Sequence, residues 1–314
     1  MKKLTLEMVN GLRPRTERDF QLFSECKAKA VPLSMLWEDR DDDAKIVAWD
    51  SAWDRFIDHR AALIDSMGKE RFLPWNIYDE LKLNWLDGYD FVQEVGDCGS
   101  MGHKNSLKAS NLTNALFTGR RPREIACSVM YGIARGDGRM NFGNGCNLDP
   151  LAKYSAELGN YWTEDFGRYD AGRYCKKYKQ GSEQDEHAKK TQSVIVFLDA
   201  PEFDLVFRAC SAGFGVNMGS SIYPTGSTLN EDNLGEVDGF GRGGHCMAWV
   251  AATVGKKTGR KYVYLENSHP TKYVSDELNP GHQWGVWVEE KQFKRIANNA
   301  FIYGNWYVNI GELG

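Results

Sequence analysis

Apolar positions follow two regimes along the chain. Up to about residue 190 they recur at helical spacing; beyond it they gather in short runs rich in Val, Ile and aromatic residues, the pattern of strands. After Asp43, the residues Ile46, Trp49, Trp53, Phe56, Ile57, Leu63, Ile64 and Met67 share one helical face, and Gly68 supplies a stop. One long amphipathic helix is predicted there. Its aromatic stripe is suited to packing on the body of the protein, with an inhibitory prosegment or a partner-binding arm as the alternatives. Helical spacing returns from Gly99 to Phe117, with Met101, Leu112, Ala115 and Leu116 for burial and Gly119 as a stop. A further helix fits Pro122 to Arg135, with Pro122 in the first turn and Ile125, Val129, Met130 and Ile133 on one face; another fits Pro150 to Leu158, closed by Gly159.

Strands are predicted at Ser193 to Leu198, Gly215 to Met218, His245 to Val254, Lys261 to Glu266, Trp284 to Val288 and Phe301 to Val308. The turn residues from Gly255 to Gly259 fold one strand back on the next, which sets His245 at the start of one arm and Asn267 at the end of its partner. Gly219 to Gly244 is polar and long, a connection bordering a cleft. The order is helical, then β, so an α+β chain is expected. Residues 1–90 form an N-terminal extension, and 91–314 a body divided into a helical part, 91–190, and a β-rich part, 191–314.

Composition narrows the classes. The 314 residues are 42% hydrophobic and 12% aromatic, enough for a sizeable core. The formal charge of −4 and the lack of a long basic block recommend neither nucleic acid nor an anionic membrane as partner. No apolar run reaches the roughly 18 residues of a bilayer span, and the basic start is not followed by an apolar stretch of signal-peptide type. Seven widely spaced cysteines suit reduced thiols better than a disulfide framework. A cytoplasmic or virion-associated location is the expectation. The acidic run Asp39 to Asp43 reads as a solvated loop and helix cap.

Chemistry concentrates on four residues. Cys98 precedes a predicted helix, where unpaired N–H groups and the positive end of the helix dipole favour thiolate. His245 lies 147 residues on, flanked by Gly243 and Gly244, and Asn267 lies a further 22 residues on. An imidazole takes the thiol proton and later donates it to a leaving amine; a carboxamide on its other nitrogen fixes its tautomer and orientation. Gln93 and the Cys98 N–H are candidate donors to a tetrahedral oxyanion. Gly243 and Gly244 let the backbone pass close beneath a substrate, and His269 is a residue lining the site. His103, five residues into the nucleophile's helix, belongs to the helix surface or to a lobe contact. Cys146, Cys175 and His187 lack metal-ligand spacing, and the glycines from 239 to 244 lack the strand and lysine of a phosphate loop, so neither a metal nor another cofactor is expected.

These motifs resemble those of the papain-like cysteine peptidases, whose His and Asn lie about 130 to 150 residues past the cysteine. The resemblance spans about residues 85–308 and extends to divergent, phage-encoded members. Gln93…Gly96-Asp97-Cys98 is similar to the family's Gln…Gly-Ser-Cys, Gly145-Cys146-Asn147 to its Gly-Cys-Asn-Gly, Gly244-His245 to its base motif and Asn267-Ser268 to its Asn-Ser-Trp. It implies a two-lobed fold, helical lobe against an antiparallel β-barrel-like lobe, and peptide-bond hydrolysis through a thioester acyl-enzyme. A peptide or protein substrate follows. Residues 1–90 are a possible prosegment or an arm for an assembly partner. Two other outcomes are open: a structural, virion-associated protein that keeps the fold with weak or no activity, and an acyltransferase using the same triad. Gly99 and His269 stand where the family has Trp, which implies a more wetted triad, and Val95 stands where a cysteine would pair with Cys146.

Overall fold

A computed structural model describes residues 46–48, 51–67, 73–81, 93, 95–119, 121–134, 145–167, 183–189, 193–198, 201–269, 273–279, 284–299 and 306–312. Its elements run β1 (Ile46–Ala48), α1 (Ser51–Ser66), α2 (Pro74–Glu80), α3 (Cys98–Thr118), α4 (Cys127–Ala134), α5 (Leu148–Glu157), α6 (Thr163–Phe166), α7 (Glu183–Ala188), β2 (Ser193–Leu198), α8 (Phe203–Ser211), β3 (Gly215–Leu229), β4 (Gly235–Val254), β5 (Lys261–Glu266), β6 (Gly285–Val288), α9 (Glu290–Ala297) and β7 (Trp306–Glu312). The fold is α+β. Its sheet has the order β1-β2-β7-β3-β4-β5-β6, and a pairing of Glu236 with Trp287 curls β4, β5 and β6 toward closure. Apart from that contact and the parallel β1–β2 pair, neighbouring strands are antiparallel.

The central helix α3 explains how the two halves meet. Nearly all of it is buried, polar residues included, so its small hydroxyl side chains bond to neighbouring backbone. Ser110 donates to the Asn309 carbonyl and accepts from the Gly215 N–H, while Thr113 donates to the Gly213 carbonyl at 2.6 Å. Gly102 lets the helix lie close on β4: a methyl group there would stand 2.6 Å from Asn217 Oδ1 and 2.7 Å from Cys246 Sγ. Three apolar cores flank it. One joins α1, α8 and α9 to the sheet around Trp53, Phe214, Trp249 and Phe293; one lies among α3, α4 and α5; one covers β5 and β6 through Trp75 and Trp287.

Several predicted boundaries shift. The first amphipathic helix begins at Ser51, not after Asp43, because Ile46–Ala48 pairs with Ile195–Phe197 at the sheet edge. The helix packs on the body through Trp53, Ile57 and Ile64, while Leu63 and Met67 are left exposed. The helix expected from Pro122 begins at Cys127, since the preceding residues run extended: Ile125 bridges Trp162, Ala126 N–H donates to the Tyr161 carbonyl and Thr163 N–H to the Glu124 carbonyl. The polar connection from Gly219 to Gly244 is instead the outer part of the long β3–β4 hairpin, held by register pairs such as Tyr223 with Gly241 and Ser227 with Val237. Backbone pairing, not side-chain polarity, decides that region. Two short helices, α8 and α9, interrupt the strand-rich half and bury Phe203, Val206, Phe293 and Ile296. The acidic run Asp39 to Asp43 and the start of the last predicted strand, 301–305, lie outside the described residues.

Candidate active site

Cys98 opens α3, and the N-terminus of that helix abuts the stretch of β4 that carries His245 and Cys246. Cys246 Sγ lies 3.9 Å from the Gly99 carbonyl, and the Cys246 N–H is near enough to the Cys98 sulfur to favour its thiolate, so the helix start meets β4 at the residue after His245; no hydrogen bond joins Cys98 to His245 among the described residues. Gly243, with φ of 150°, takes a backbone conformation that suits glycine just ahead of the histidine. The β4–β5 hairpin, with Thr253 opposite Tyr262 and Ala248 opposite Glu266, carries Asn267 back alongside His245. The turn uses Gly259 at φ of 70°.

His245 Nε2 and Asn267 Oδ1 are 2.7 Å apart, and both side chains are buried. Asn267 Oδ1 also accepts from the His269 N–H at 3.2 Å, and Asn267 Nδ2 donates to Tyr273 Oη at 2.9 Å. His245 Nδ1 has no hydrogen-bond partner among the described residues. The His269 ring stacks on the His245 ring, with centroids 4.3 Å apart and planes 20° apart, and Tyr223 meets His245 edge-on. The wetter triad expected from His269 in place of Trp is therefore not found, because the imidazole stack and Tyr223 cover the pair in its stead. Gln93 sits beside the same segment: its N–H donates to the Ser268 carbonyl at 3.3 Å, its Oε1 accepts from Ser268 Oγ at 2.6 Å, and its Nε2 donates to the Val95 carbonyl at 3.1 Å.

Electrostatics in this closed arrangement are set by burial. Burial lowers the His245 pKa to about 4 against the opposing hydrogen bond from Asn267, and lowers that of His269 to about 2, with His245 adding to the effect. Burial likewise pushes the Cys98 thiol well above its ordinary value, helped by Cys146 and Asp97 and opposed by the N–H groups of Cys246 and Gly99. The thiolate expected from the helix start is thus outweighed here by desolvation, and burial favours the neutral form of both Cys98 and His245. Cys246 points away from His245 and donates to Asn217 Oδ1 at 2.9 Å; its thiol too is raised by burial. His103 lies at the contact between α3 and β7, with Nδ1 2.8 Å from Tyr307 Oη.

Cys98, Cys127, Cys146, Cys210 and Cys246 form no disulfide, and no group of three or more His, Cys, Asp or Glu side chains is arranged to hold a metal among the described residues; Cys175 and the His187 side chain lie outside them. Nor is any described helix long and apolar enough to cross a membrane. Tyr273 and Tyr223 were not legible as site residues. No motif marks them, and only the fold brings them against the His–Asn pair.

No protein-family model matches the chain, and no curated protein matches it. Among solved structures it is similar to xylellain, a cysteine protease from Xylella fastidiosa, with 15% identity over 68% of this chain and 79% of that one and a TM-score of 0.48. It is similar also to procathepsin B S9 from Trypanosoma congolense, with 11% identity over 76% of each chain and a TM-score of 0.46. Digestive procathepsin L 3 of the Tenebrio molitor larval midgut shares 18% identity over 71% of this chain and 67% of that one, with a TM-score of 0.44.

Proposed function

We propose that the protein is a cysteine peptidase in which Cys98, His245 and Asn267 act together on a peptide carbonyl. The observation that carries this reading is the buried His245–Asn267 hydrogen bond of 2.7 Å, which leaves Nδ1 unpartnered while Cys98 opens the helix that meets β4 at Cys246, the residue after His245. With Nε2–H given to Asn267, Nδ1 holds the lone pair that takes the thiol proton. As that proton moves, sulfur bonds to the carbonyl carbon and the C=O electron pair moves to oxygen. The Cys98 N–H and the second Nε2–H of the Gln93 side chain, whose first goes to the Val95 carbonyl, would donate to the oxyanion. Collapse expels the amine, which takes the proton from Nδ1, and leaves a thioester; water, deprotonated by His245, then attacks it and releases acid and thiol. Substrate binding would have to open this closed arrangement and bring the sulfur and Nδ1 together.

The test is mass spectrometry after treatment with an irreversible thiol-reactive peptide electrophile. Modification at Cys98, abolished in Cys98→Ala with folding retained, is expected; labelling that persists in that variant assigns the reactivity to another cysteine and refutes the triad. Complete burial of Cys98, with its thiol pKa raised, favours a second reading, a structural or virion-associated protein that retains the site without turnover. Stable assembly together with a silent Cys98 would select it.

A further inference from the structure

We propose that Tyr273 is a positioning residue that fixes the polarity of the Asn267 amide and, through it, the tautomer of His245. The assignment deepens the peptidase reading and rests on it for its catalytic meaning, but the hydrogen bonds that carry it stand apart from turnover. Two backbone groups of fixed polarity bracket the Asn267 side chain. The Pro224 carbonyl can only accept, and Tyr273 donates its single hydroxyl hydrogen to it at 3.0 Å. Toward Asn267 the tyrosine oxygen is therefore an acceptor, and it receives Nδ2–H at 2.9 Å. At the other end the His269 N–H can only donate, and it lies 3.2 Å from Asn267 Oδ1. Oδ1 is thereby set toward His245, whose Nε2 at 2.7 Å must carry the hydrogen, leaving the lone pair on Nδ1.

Turning the amide over would set its NH2 against the His269 N–H and its oxygen against a tyrosine oxygen with no hydrogen to offer. Both contacts are buried, where unmatched polar groups are costly. The reversed amide would also require Nε2 to accept, moving the hydrogen to Nδ1, where it could not receive the thiol proton. Tyr273 is held for this task by packing, since its ring belongs to the apolar core that includes Val237 and Trp249. Its hydroxyl ties the outer β3–β4 hairpin, through Pro224, to the loop after β5. The aromatic group over the Asn–His bond is a stacked histidine, and the orientation of the amide comes from this tyrosine.

The experiment uses full-length protein with ¹⁵N-labelled histidine, and long-range ¹H–¹⁵N correlation reads the His245 tautomer in the wild type and in Tyr273→Phe. Alkylation of Cys98 by iodoacetamide is followed across pH in the same two proteins. The wild type is expected to carry its hydrogen on Nε2, and Tyr273→Phe to populate Nδ1–H and to alkylate about tenfold more slowly, the scale of one lost buried hydrogen bond, with an altered pH profile. A variant that keeps the Nε2–H tautomer and the same pH profile, whatever its melting temperature, overturns the assignment. A wild-type tautomer that is lost in the variant while Cys98 is inert in both upholds Tyr273 and sinks the peptidase reading. If Tyr273→Phe fails to fold, 3-fluorotyrosine at 273 keeps the shape and hydroxyl but weakens the acceptor. A smaller shift toward Nδ1–H is then expected, and no shift overturns the proposal.

Discussion

Replacing Glu266 by Gln should stabilise the protein at neutral pH and leave it nearly unchanged at pH 4.5. Glu266 precedes Asn267 at the end of β5, so its side chain points to the opposite face, against α3, where it is fully buried with neither carboxyl oxygen hydrogen-bonded among the described residues. Burial raises its pKa from 4.5 to about 8, and Lys108 and Lys104 of α3 pull the other way. Lys108, lowered by burial to about 7, has Glu124 at 3.3 Å as its own ion-pair partner, and Tyr264 also faces the carboxyl. An acid whose folded pKa is raised binds more protons in the native than in the unfolded state across pH 4.5 to 8, so stability falls as pH rises through that window. Each unit is worth about 1.4 kcal/mol, so the cost reaches roughly 3 kcal/mol near pH 7. Glutamine keeps the volume and removes the titration. Urea unfolding of both proteins at pH 5, 6, 7 and 8 should give a difference that grows with pH and levels above 8. A difference that is constant with pH, or that favours the wild type at pH 8, would show that the lysines hold Glu266 ionised and refute the reasoning.

Further outcomes can be measured alongside. Gly102→Ala should cost about 1 to 3 kcal/mol in urea unfolding, because its methyl would press on Asn217, Cys246 and the Met247 carbonyl; a neutral result would refute close packing of α3 on β4. Asn147 caps α5 by accepting the Asp149 N–H at 3.1 Å, so Asn147→Ala should lower stability by about 1 kcal/mol in the same assay. Because the His245 pKa is lowered from 6.5 to about 4, the unfolded chain takes up a proton there first, and stability is lost as pH falls through that window at about 1.4 kcal/mol per unit. His245→Gln should lose that part of the acid sensitivity; identical pH slopes would refute it. Trp53→Ala should cost about 3 to 5 kcal/mol if α1 is integral to the core, read from the urea midpoint.

Strand periodicity alone located β2 and β5, and turn residues alone located the β4–β5 hairpin, because a short buried run of β-branched and aromatic residues between polar or turn-forming flanks needs little beyond local pattern. The order of Cys98, His245 and Asn267, with Gln93 ahead, likewise read as chemistry from residue type and spacing. Tertiary structure decided the rest. The polar α3 is buried because hydroxyls reach backbone groups on β7 and ahead of β3 that no local window contains. The outer β3–β4 hairpin is a strand pair because each edge completes the other's hydrogen bonds, whatever its side chains. The charge state of the site was opposite to that expected from the helix start, since desolvation depends on what covers Cys98 and His245, and those covers, His269 and Tyr223 among them, are assembled from distant segments. Residue type and spacing could nominate the groups that do chemistry; which of them are dry, and which way each hydrogen points, follows from the three-dimensional neighbours that only folding supplies.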